Sequence, residues 1–364
     1  MRLAIVCSWL NQYGGAERVL EVVHRMYPDA PVYTAIYRSE AMPASFRSWD
    51  IRPTFVDRLP LGRRLPQVYL PVYPVAFEAL DLRGYDVVLS VTSAFAHGVI
   101  TSAGTAHLCY CLTPTRFLWD YHSYIEREGI GKATRLALPL FMRGLREWDR
   151  LAADRVDEFI AISRTVQRRI RKVYRREADI IHPPVRMPAS APEAVTEDYY
   201  LIVSRLVPYK RIDLAVAAFN RLGLPLRVIG DGRDRRALEA MAGPNIRFLG
   251  YVPDAGVEAQ MARCRALILP GEEDFCLTPV EAMGVGRPAV AYGGGGALDT
   301  IVDGVTGLFF HEQTPESLGE AVSRLEDVPF DPATIAARAR TFDEAHFSRK
   351  LAAAIERAVE GGGL

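Results

Sequence analysis

Apolar and polar positions along the chain follow two alternating patterns. Short apolar runs predict buried parallel strands, and apolar residues that recur every three or four positions predict helices packed against a sheet. In the first half, strands are predicted at Leu3–Cys7, Val87–Ser90, Leu108–Cys111 and Phe159–Ile162. A helix is predicted after the first strand, with Ala16, Val19, Leu20, Val23 and Tyr27 on one face.

The second half repeats this alternation. Strands are predicted at Tyr200–Val203, Arg227–Ile229, Ile246–Leu249, Ala266–Pro270 and Pro288–Ala291. A helix that ends at Gly223 is predicted from the spacing of Ile212, Val216, Phe219 and Leu222. Two successive β/α alternations predict an α/β protein with two Rossmann-like, doubly wound parallel sheets.

The chain length and one proline-rich stretch predict the domain boundaries. A chain of 364 residues most naturally forms two domains, each with its own core. Residues 183–198 are rich in Pro and Ala with little periodicity, which predicts a linker between domains at 1–182 and 199–344. A last helix at about 345–364 follows no further strand, and we expect it to pack back onto the first domain.

The segment that follows the predicted strand at Ala266–Pro270 carries the densest chemistry. It places Glu273 and Glu281 across a loop that runs into a helix, where open α/β sheets bind ligands and free N–H groups attract anions. These carboxylates are therefore candidates to bind the hydroxyls of a sugar and a ribose. The alternative interpretation is structural: Thr278 caps the helix, Pro279 takes its first position, and Glu281 completes a capping box.

Basic residues and glycines occupy the other predicted loops. Arg205 follows a strand and Lys210 precedes a helix, so two fixed cations near a helix dipole predict a diphosphate site. Gly14 and Gly15 lie between the first strand and the first helix, where glycine lets the backbone approach phosphate. The full dinucleotide and Walker signatures are missing from the sequence, which disfavours an oxidoreductase or a P-loop enzyme.

Composition indicates a globular protein of the cytoplasm. Apolar residues make up 49% of the chain, but no run reaches the ~20 residues of a membrane span. The first residues form a predicted strand rather than a basic, apolar leader, so we expect no secretion. The five cysteines lack metal-ligand spacing, which favours reduced thiols and no metal site.

Charge is balanced overall but divided between the halves. Residues 1–182 hold 25 Lys and Arg against 19 Asp and Glu, whereas residues 183–364 hold 19 against 25. The basic residues include Arg58, Arg63, Arg64 and a run from Arg164 to Arg176. A solvated helix face is the ordinary explanation for such a run. The alternative is contact with anionic lipid at the inner face of the membrane. Nucleic-acid binding is disfavoured because net positive charge and interleaved aromatic residues are lacking.

The order of these motifs resembles one known family. The set comprises Gly14-Gly15-Ala16-Glu17, His182-Pro183-Pro184-Val185, Arg205 with Lys210, Gly230-Asp231-Gly232, Glu273 with Glu281, Gly294-Gly295 and Asp303-Gly304-x-x-Gly307. It is similar to that of the retaining nucleotide-sugar glycosyltransferases of family 4. The resemblance implies the GT-B fold, in which two Rossmann-like domains face one another across a cleft.

The resemblance also implies roles for individual residues. Arg205 and Lys210 would neutralise the donor diphosphate, Glu273 would bind the transferred sugar, and Glu281 the ribose. Backbone N–H groups complete the donor site at Gly14, Gly15, Phe275, Cys276 and Leu277. Catalysis would rest on Glu273, Arg205 and Lys210, because fixed cations stabilise the charge that grows on the leaving diphosphate. Neither a cofactor nor a metal is implied, and the sequence has no Asp-x-Asp signature.

One departure from the family pattern concerns the donor sugar. Related sequences read Cys-Tyr-Cys-His-Thr-Pro, whereas this chain has Leu112 at the histidine position. His97 is a candidate to replace that contact, with a simple polar loop residue as the alternative. Arg116, Trp119 and Asp120 are candidates for the acceptor side, although Trp119 also suits a packing role.

The sequence therefore predicts a metal-independent, retaining glycosyltransferase with a glycan, lipid-linked or small-molecule acceptor. The stretch from Val207 to Asp213 resembles the mannosyltransferase branch, so GDP-mannose is the first expected donor. One alternative is a nucleotide-sugar epimerase or hydrolase on the same fold, which would need a general base. Another is a non-catalytic nucleotide-sugar-binding subunit, which the Leu112 departure favours.

Overall fold

The computed structural model describes residues 1–60, 62–63, 66–120, 132–188 and 196–361, which form two compact units. Unit 1 comprises Met1–Pro184 and Phe347–Leu364, and unit 2 comprises Val185–His346. The predicted linker at 183–198 spans the boundary between these units, and its residues 189–195 lie outside the described ranges.

Unit 1 contains a parallel sheet of seven strands. They are β1 (Leu3–Cys7), β2 (Val32–Thr34), β3 (Ile51–Pro53), β4 (Val87–Thr92), β5 (Ala106–Cys111), β6 (Glu158–Ala161) and β7 (Ala178–Ile180). Their order is β3-β2-β1-β4-β5-β6-β7, so the direction of winding reverses between β1 and β4. Every residue of β1, β4 and β5 is buried, which explains why their sequences are mainly apolar.

Helices and short 3-10 turns connect the strands of unit 1. The helices are α1 (Gly15–Met26), α2 (Tyr73–Glu78), α3 (Arg116–Trp119), α4 (Lys132–Ala152) and α5 (Arg164–Tyr174). The 3-10 turns are Ser39–Ala41, Ala44–Ser48, Phe55–Arg58, Pro66–Tyr69, Ala96–Gly98 and Ala153–Arg155.

Unit 2 contains a parallel sheet of six strands. They are β8 (Tyr200–Val203), β9 (Leu226–Ile229), β10 (Ile246–Gly250), β11 (Leu267–Leu269), β12 (Ala289–Tyr292) and β13 (Gly307–Phe310). Their order is β10-β9-β8-β11-β12-β13, with the reversal between β8 and β11. The predicted fold class, two doubly wound parallel sheets, is therefore confirmed.

Helices cover this second sheet, and the last helix returns to unit 1. The helices of unit 2 are α6 (Ile212–Leu222), α7 (Arg235–Met241), α8 (Asp254–Arg263), α9 (Leu277–Gly284), α10 (Ala297–Thr300), α11 (Pro315–Arg324) and α12 (Pro332–Arg340), with 3-10 turns at Pro208–Lys210 and Leu325–Asp327. The last helix, α13 (Glu344–Gly361), places Phe347 against Tyr110 with ring centroids 5.6 Å apart. None of the helices in the described ranges is long and apolar enough to cross a membrane.

Two predicted helix ends have different outcomes. Gly223 ends α6 in a left-handed conformation, as expected (φ 68°). The capping box at the start of α9 is wrong, because the helix begins at Leu277, before Thr278. Its N-cap is Cys276, whose backbone is left-handed (φ 76°) and whose side chain makes no cap hydrogen bond with any described residue. The sharp backbone turn at Cys276 thus starts the helix earlier than the sequence predicts. Pro279 lies inside the first turn, where the backbone N–H has no partner within the helix and its absence removes no hydrogen bond.

Burial of His107 in β5 predicts acid sensitivity. Its Nε2 lies 2.9 Å from the Ser90 hydroxyl, and its Nδ1 has no hydrogen-bond partner among the described residues. Burial, aided by nearby His97, lowers the pKa of His107 from 6.5 to about 3. As the pH drops, His107 becomes protonated near pH 6.5 in the unfolded chain but only near pH 3 in the folded protein. His107 therefore lowers the free energy of unfolding progressively between pH 6.5 and 3, and it has no effect above pH 6.5.

We therefore expect His107→Leu to flatten the acid side of the stability profile. Between pH 6 and 4 the free energy of unfolding of the wild type should fall by about 1.4 kcal/mol per pH unit more than that of the variant. Urea unfolding at several pH values measures both slopes. Parallel curves would show that His107 is not buried as a neutral imidazole.

Candidate functional site

The carboxyl ends of β8 and β11 lie side by side where the strand order of unit 2 reverses. Leu201 of β8 pairs with Leu267 of β11. Ligands of open α/β sheets bind outside the carboxyl ends of the strands at this reversal. β8 leads into the segment with Arg205 and Lys210, and β11 leads into the loop with Glu273. The topology therefore brings the predicted cations and carboxylate to one edge of one sheet.

Lys210 and Glu273 form an ion pair at this edge. The ammonium nitrogen of Lys210 contacts Oε2 of Glu273, and the two side chains are only 14% and 17% exposed. Burial alone would lower the pKa of Lys210. The charge of Glu273, with contributions from Tyr209 and the hydrogen bond, outweighs this effect and raises the pKa above its usual value. Lys210 is therefore a permanent cation at neutral pH.

Arg205 adds a second positive charge beside this pair. Its guanidinium donates a hydrogen bond to the Tyr209 hydroxyl at 2.8 Å and is exposed. The Lys210 ammonium lies 5.3 Å from the centre of the Tyr209 ring, within the range of a cation–π interaction. Tyr209 thus contacts both cations, one exposed and one largely buried.

A glycine loop after β12 supports the acidic loop after β11. The N–H of Gly296 donates to the Glu273 carbonyl at 2.7 Å. A Cβ at Gly295 would lie 2.2 Å from the same oxygen, and one at Gly296 would lie 2.3 Å from the Phe275 Cα. Only glycine allows the two backbones to come so close. The glycines of this loop therefore fix the backbone that carries Glu273.

The residues after Glu273 lead into α9. Phe275 and Cys276 are buried, and the Phe275 ring meets the Phe342 ring edge-on at 5.7 Å. Burial raises the pKa of the Cys276 thiol well above its usual value, and the negative charge of Glu273 adds to this effect. The thiol therefore stays neutral. Leu277 is the first residue of α9, and Glu281, half-buried, lies one turn further along.

Unit 1 has its own reversal point, with the predicted glycines beside it. Gly14 is the N-cap of α1 and Gly15 its first residue, with Gly14 half-exposed and Gly15 exposed. The Ser8 hydroxyl, directly after β1, accepts hydrogen bonds from the N–H groups of Ser93 and Ala94 after β4, both at 3.2 Å. This hydroxyl ties together the two loops that follow the central strands.

His97 lies in the core of unit 1 and not at its surface. It is 1% exposed, and its Nε2 lies 3.2 Å from the carbonyl and 3.5 Å from the carboxylate of Asp149. Its ring packs near the rings of Trp148 and Tyr174. This burial gives His97 a structural role in place of the sugar contact expected from sequence. Leu112, at the departure from the family pattern, is half-buried directly after β5.

Asp149 is an organising residue that the sequence did not single out. Its carboxylate is fully buried and accepts hydrogen bonds from the Thr115 hydroxyl and the Trp119 indole, both at 2.7 Å, and from the Tyr174 hydroxyl at 3.0 Å. Trp119 is thus anchored by its N–H and remains 37% exposed. Asp149 lies among charged residues of α4, and nothing in that pattern distinguishes it from surface carboxylates such as Glu147.

The other predicted residues of unit 1 are placed as follows. On α3, Arg116 is half-buried, and Asp120, which follows that helix, is exposed. Arg63 pairs with the buried carboxylate of Asp57 at 2.5 Å. Arg58 ends a 3-10 turn and is exposed, and Arg64 lies outside the described residues.

The basic run coincides with the amphipathic helix α5. Val166, Ile170 and Tyr174 are buried on one side of this helix. Arg168 and Arg171 are exposed, and Arg171 forms an ion pair with Glu177 at 3.1 Å. The solvated helix face, which is the ordinary explanation of such a run, accounts for this arrangement.

Two family models match the chain in tandem. The model described as Glycosyltransferase Family 4 matches residues 13–187, and that described as Glycosyl transferases group 1 matches residues 186–342. Together they extend over both units. The first half of the chain is therefore similar to glycosyltransferase family 4, and the second half to glycosyl transferases group 1.

Curated relatives of the chain include glycosyltransferases. A stretch of 207 residues is 30% identical to a GDP-mannose-dependent alpha-mannosyltransferase of Mycolicibacterium smegmatis and covers 53% of this chain and 52% of that protein. A stretch of 185 residues is 25% identical to an uncharacterised glycosyltransferase of Methanocaldococcus jannaschii and covers 50% of this chain and 52% of that protein. The chain therefore aligns with about half the length of these relatives.

Solved structures share the fold over nearly the whole chain. Sucrose-phosphate synthase from Thermosynechococcus elongatus superposes with a TM-score of 0.77 at 16% identity and covers 99% of this chain and 100% of that one. HepE of Anabaena, solved with UDP, gives a TM-score of 0.71 at 17% identity, and the match covers 98% of this chain and 100% of that one. At this identity the likeness shows the fold, and the predicted GT-B architecture of two Rossmann-like domains is confirmed.

The contact between the glycine loop and the acidic loop predicts a graded effect of two alanine substitutions. Gly295 and Gly304 both have positive φ angles, 62° and 71°, but a Cβ at Gly304 would meet nothing within 4 Å. Gly295→Ala should therefore displace Glu273 and weaken the binding of nucleotide sugars about tenfold or more. Gly304→Ala should add only backbone strain of about 1 kcal/mol.

Thermal shift with an added nucleotide sugar measures both effects, because a ligand that binds only the folded protein stabilises it by an amount set by the ligand concentration relative to its Kd. Equal loss of ligand-induced stabilisation in the two variants would contradict the supporting role of the glycine loop.

Proposed function

We propose that this protein transfers a sugar from a nucleotide-sugar donor bound at the carboxyl ends of β8 and β11. The observation that carries the proposal is the Lys210–Glu273 ion pair at the reversal of strand order, with the exposed guanidinium of Arg205 beside it. A cation and a carboxylate at one edge of a sheet suit the two parts of such a donor. The cation matches the diphosphate, and the carboxylate matches the sugar hydroxyls.

The proposed chemistry is electrostatic. Negative charge grows on the diphosphate as its bond to the anomeric carbon breaks, and Lys210 and Arg205 stabilise that charge. The first N–H groups of α9, near Phe275, Cys276 and Leu277, add the positive end of a helix dipole. Glu273 holds the sugar hydroxyls and favours the oxocarbenium-like sugar. As in the family that the motifs resemble, a phosphate oxygen of the leaving group accepts the proton of the acceptor hydroxyl.

The remaining assignments are part of the same proposal. Glu281 on α9 binds the ribose hydroxyls, and the backbone N–H groups of Gly14 and Gly15 at the start of α1 bind phosphate. Transfer proceeds with retention of the anomeric configuration. It needs no metal, because the two fixed cations supply the charge that a metal would otherwise provide. The acceptor is a glycan, a lipid-linked sugar or a small molecule, and Trp119, Arg116 and Asp120 are its candidate contacts.

GDP-mannose is the first donor to test. The stretch from Val207 to Asp213 and the likeness to a GDP-mannose-dependent enzyme of Mycolicibacterium smegmatis support this choice. UDP-glucose is the second, because HepE of Anabaena was solved with that donor.

Turnover with a donor panel tests the proposal. GDP-mannose, UDP-glucose, UDP-galactose and ADP-glucose are offered with mixed glycoside acceptors, in buffer with and without EDTA. We expect one donor to be consumed only when an acceptor is present, unaffected by EDTA, with the product retaining the donor's anomeric configuration by NMR. Lys210→Ala and Glu273→Ala should each lower the rate about 100-fold or more, since each removes a charge from the reacting centre.

Glu272→Ala is the matched control, because Glu272 is an exposed neighbour of Glu273 and should leave the rate nearly unchanged. Wild-type rates in both site variants would refute the site. Donor consumption that ignores the acceptor would instead indicate a hydrolase or epimerase. Tight donor binding without turnover on any acceptor would indicate a binding subunit.

A further inference from the structure

The two groups assigned to different parts of the donor are bound to each other. Lys210, assigned to the diphosphate, is ion-paired with Glu273, assigned to the sugar. We infer that Glu273 makes the site discriminate against the free nucleoside diphosphate and in favour of the intact nucleotide sugar, by competing with phosphate for Lys210. This inference rests on the proposed function and adds a specificity role to Glu273.

Splitting the pair has a cost that depends on what replaces it. Both side chains are largely withdrawn from water, so an unpaired carboxylate at this position would lose its counter-ion without full hydration. A ligand that takes Lys210 must therefore also satisfy Glu273, or bind more weakly. The burial of the pair is what makes this requirement strong, because exposed pairs are easily replaced by water.

Backbone contacts on both sides hold the loop that carries Glu273. Its carbonyl is held by the N–H of Gly296 and lies against Gly295. On the other side, a Cβ at Gly271 would lie 2.8 Å from the carbonyl oxygens of both Tyr209 and Lys210, so these two backbones are in direct contact. The carboxylate therefore stays close to the cation with which it pairs.

The two ligands differ at this carboxylate. A nucleotide sugar brings hydroxyl groups that donate hydrogen bonds to Glu273 while its diphosphate takes Lys210, so both halves of the pair find new partners. A free nucleoside diphosphate takes Lys210 and leaves Glu273 without a donor, next to the negative charge of phosphate. Transfer removes the sugar, so the lysine and the glutamate can pair again as the product leaves.

Titration calorimetry with the nucleotide that the wild type binds, with and without its sugar, tests this inference. Glu273→Gln keeps the shape of the side chain and removes its charge. We expect the variant to bind the free nucleoside diphosphate about tenfold more tightly than the wild type, while its affinity for the nucleotide sugar is unchanged or reduced. Glu272→Gln removes one charge from the neighbouring exposed residue and should change either affinity by less than about twofold.

Glu273→Asp provides a second variant if the glutamine form fails to fold. It keeps the charge but shortens the reach towards Lys210, so its affinity for the free diphosphate should also rise, by a smaller factor. Weaker or unchanged binding of the free diphosphate by the Glu273 variants would overturn the inference and leave the proposed function standing. An equal gain in Glu272→Gln would also overturn it. Failure of the wild type to bind any nucleoside diphosphate or nucleotide sugar would refute the proposed function itself.

Discussion

The contact between Lys210 and Glu273 is the interaction on which the site of unit 2 depends. It exists because the strand order reverses between β8 and β11, which brings two loops far apart in sequence to one edge of the sheet. The pair is mostly buried, and the charge of Glu273 keeps Lys210 protonated. Burial and this contact thus fix two opposite charges at one edge of the sheet.

Backbone packing holds these charges in place. The glycine loop after β12 lies against the acidic loop after β11, and Gly271 lies against the backbone of Tyr209 and Lys210. Unit 1 uses a different device for a similar purpose. There the buried carboxylate of Asp149 gathers hydrogen bonds from the segment that follows β5, including the indole of Trp119. In each unit the rigid part of the fold fixes loops at the carboxyl ends of the strands.

The sequence predicted the parts of this structure that depend on local pattern. The central strands and α6 were found because their apolar residues form continuous or helical patterns. Edge strands such as β3 and β7 were missed, because they are short, partly exposed and interrupted by polar residues or proline. The start of α9 was misplaced because the backbone turns sharply at Cys276, a conformation that no residue type there announces. The hydrogen-bond partners of His97 and Asp149 lie far away in the sequence and meet them only through tertiary packing. The spacing of residues along the chain therefore does not predict them.

In the proposed function, Lys210 and Glu273 receive the diphosphate and the sugar of one donor. A crystal structure of the protein with an intact, non-hydrolysable nucleotide sugar tests this arrangement. We expect diphosphate oxygens within about 3 Å of Lys210 Nζ and of the Arg205 guanidinium, with sugar hydroxyls donating to Glu273. A donor bound elsewhere, or a diphosphate bound beside a Lys210–Glu273 pair that remains intact, would contradict it.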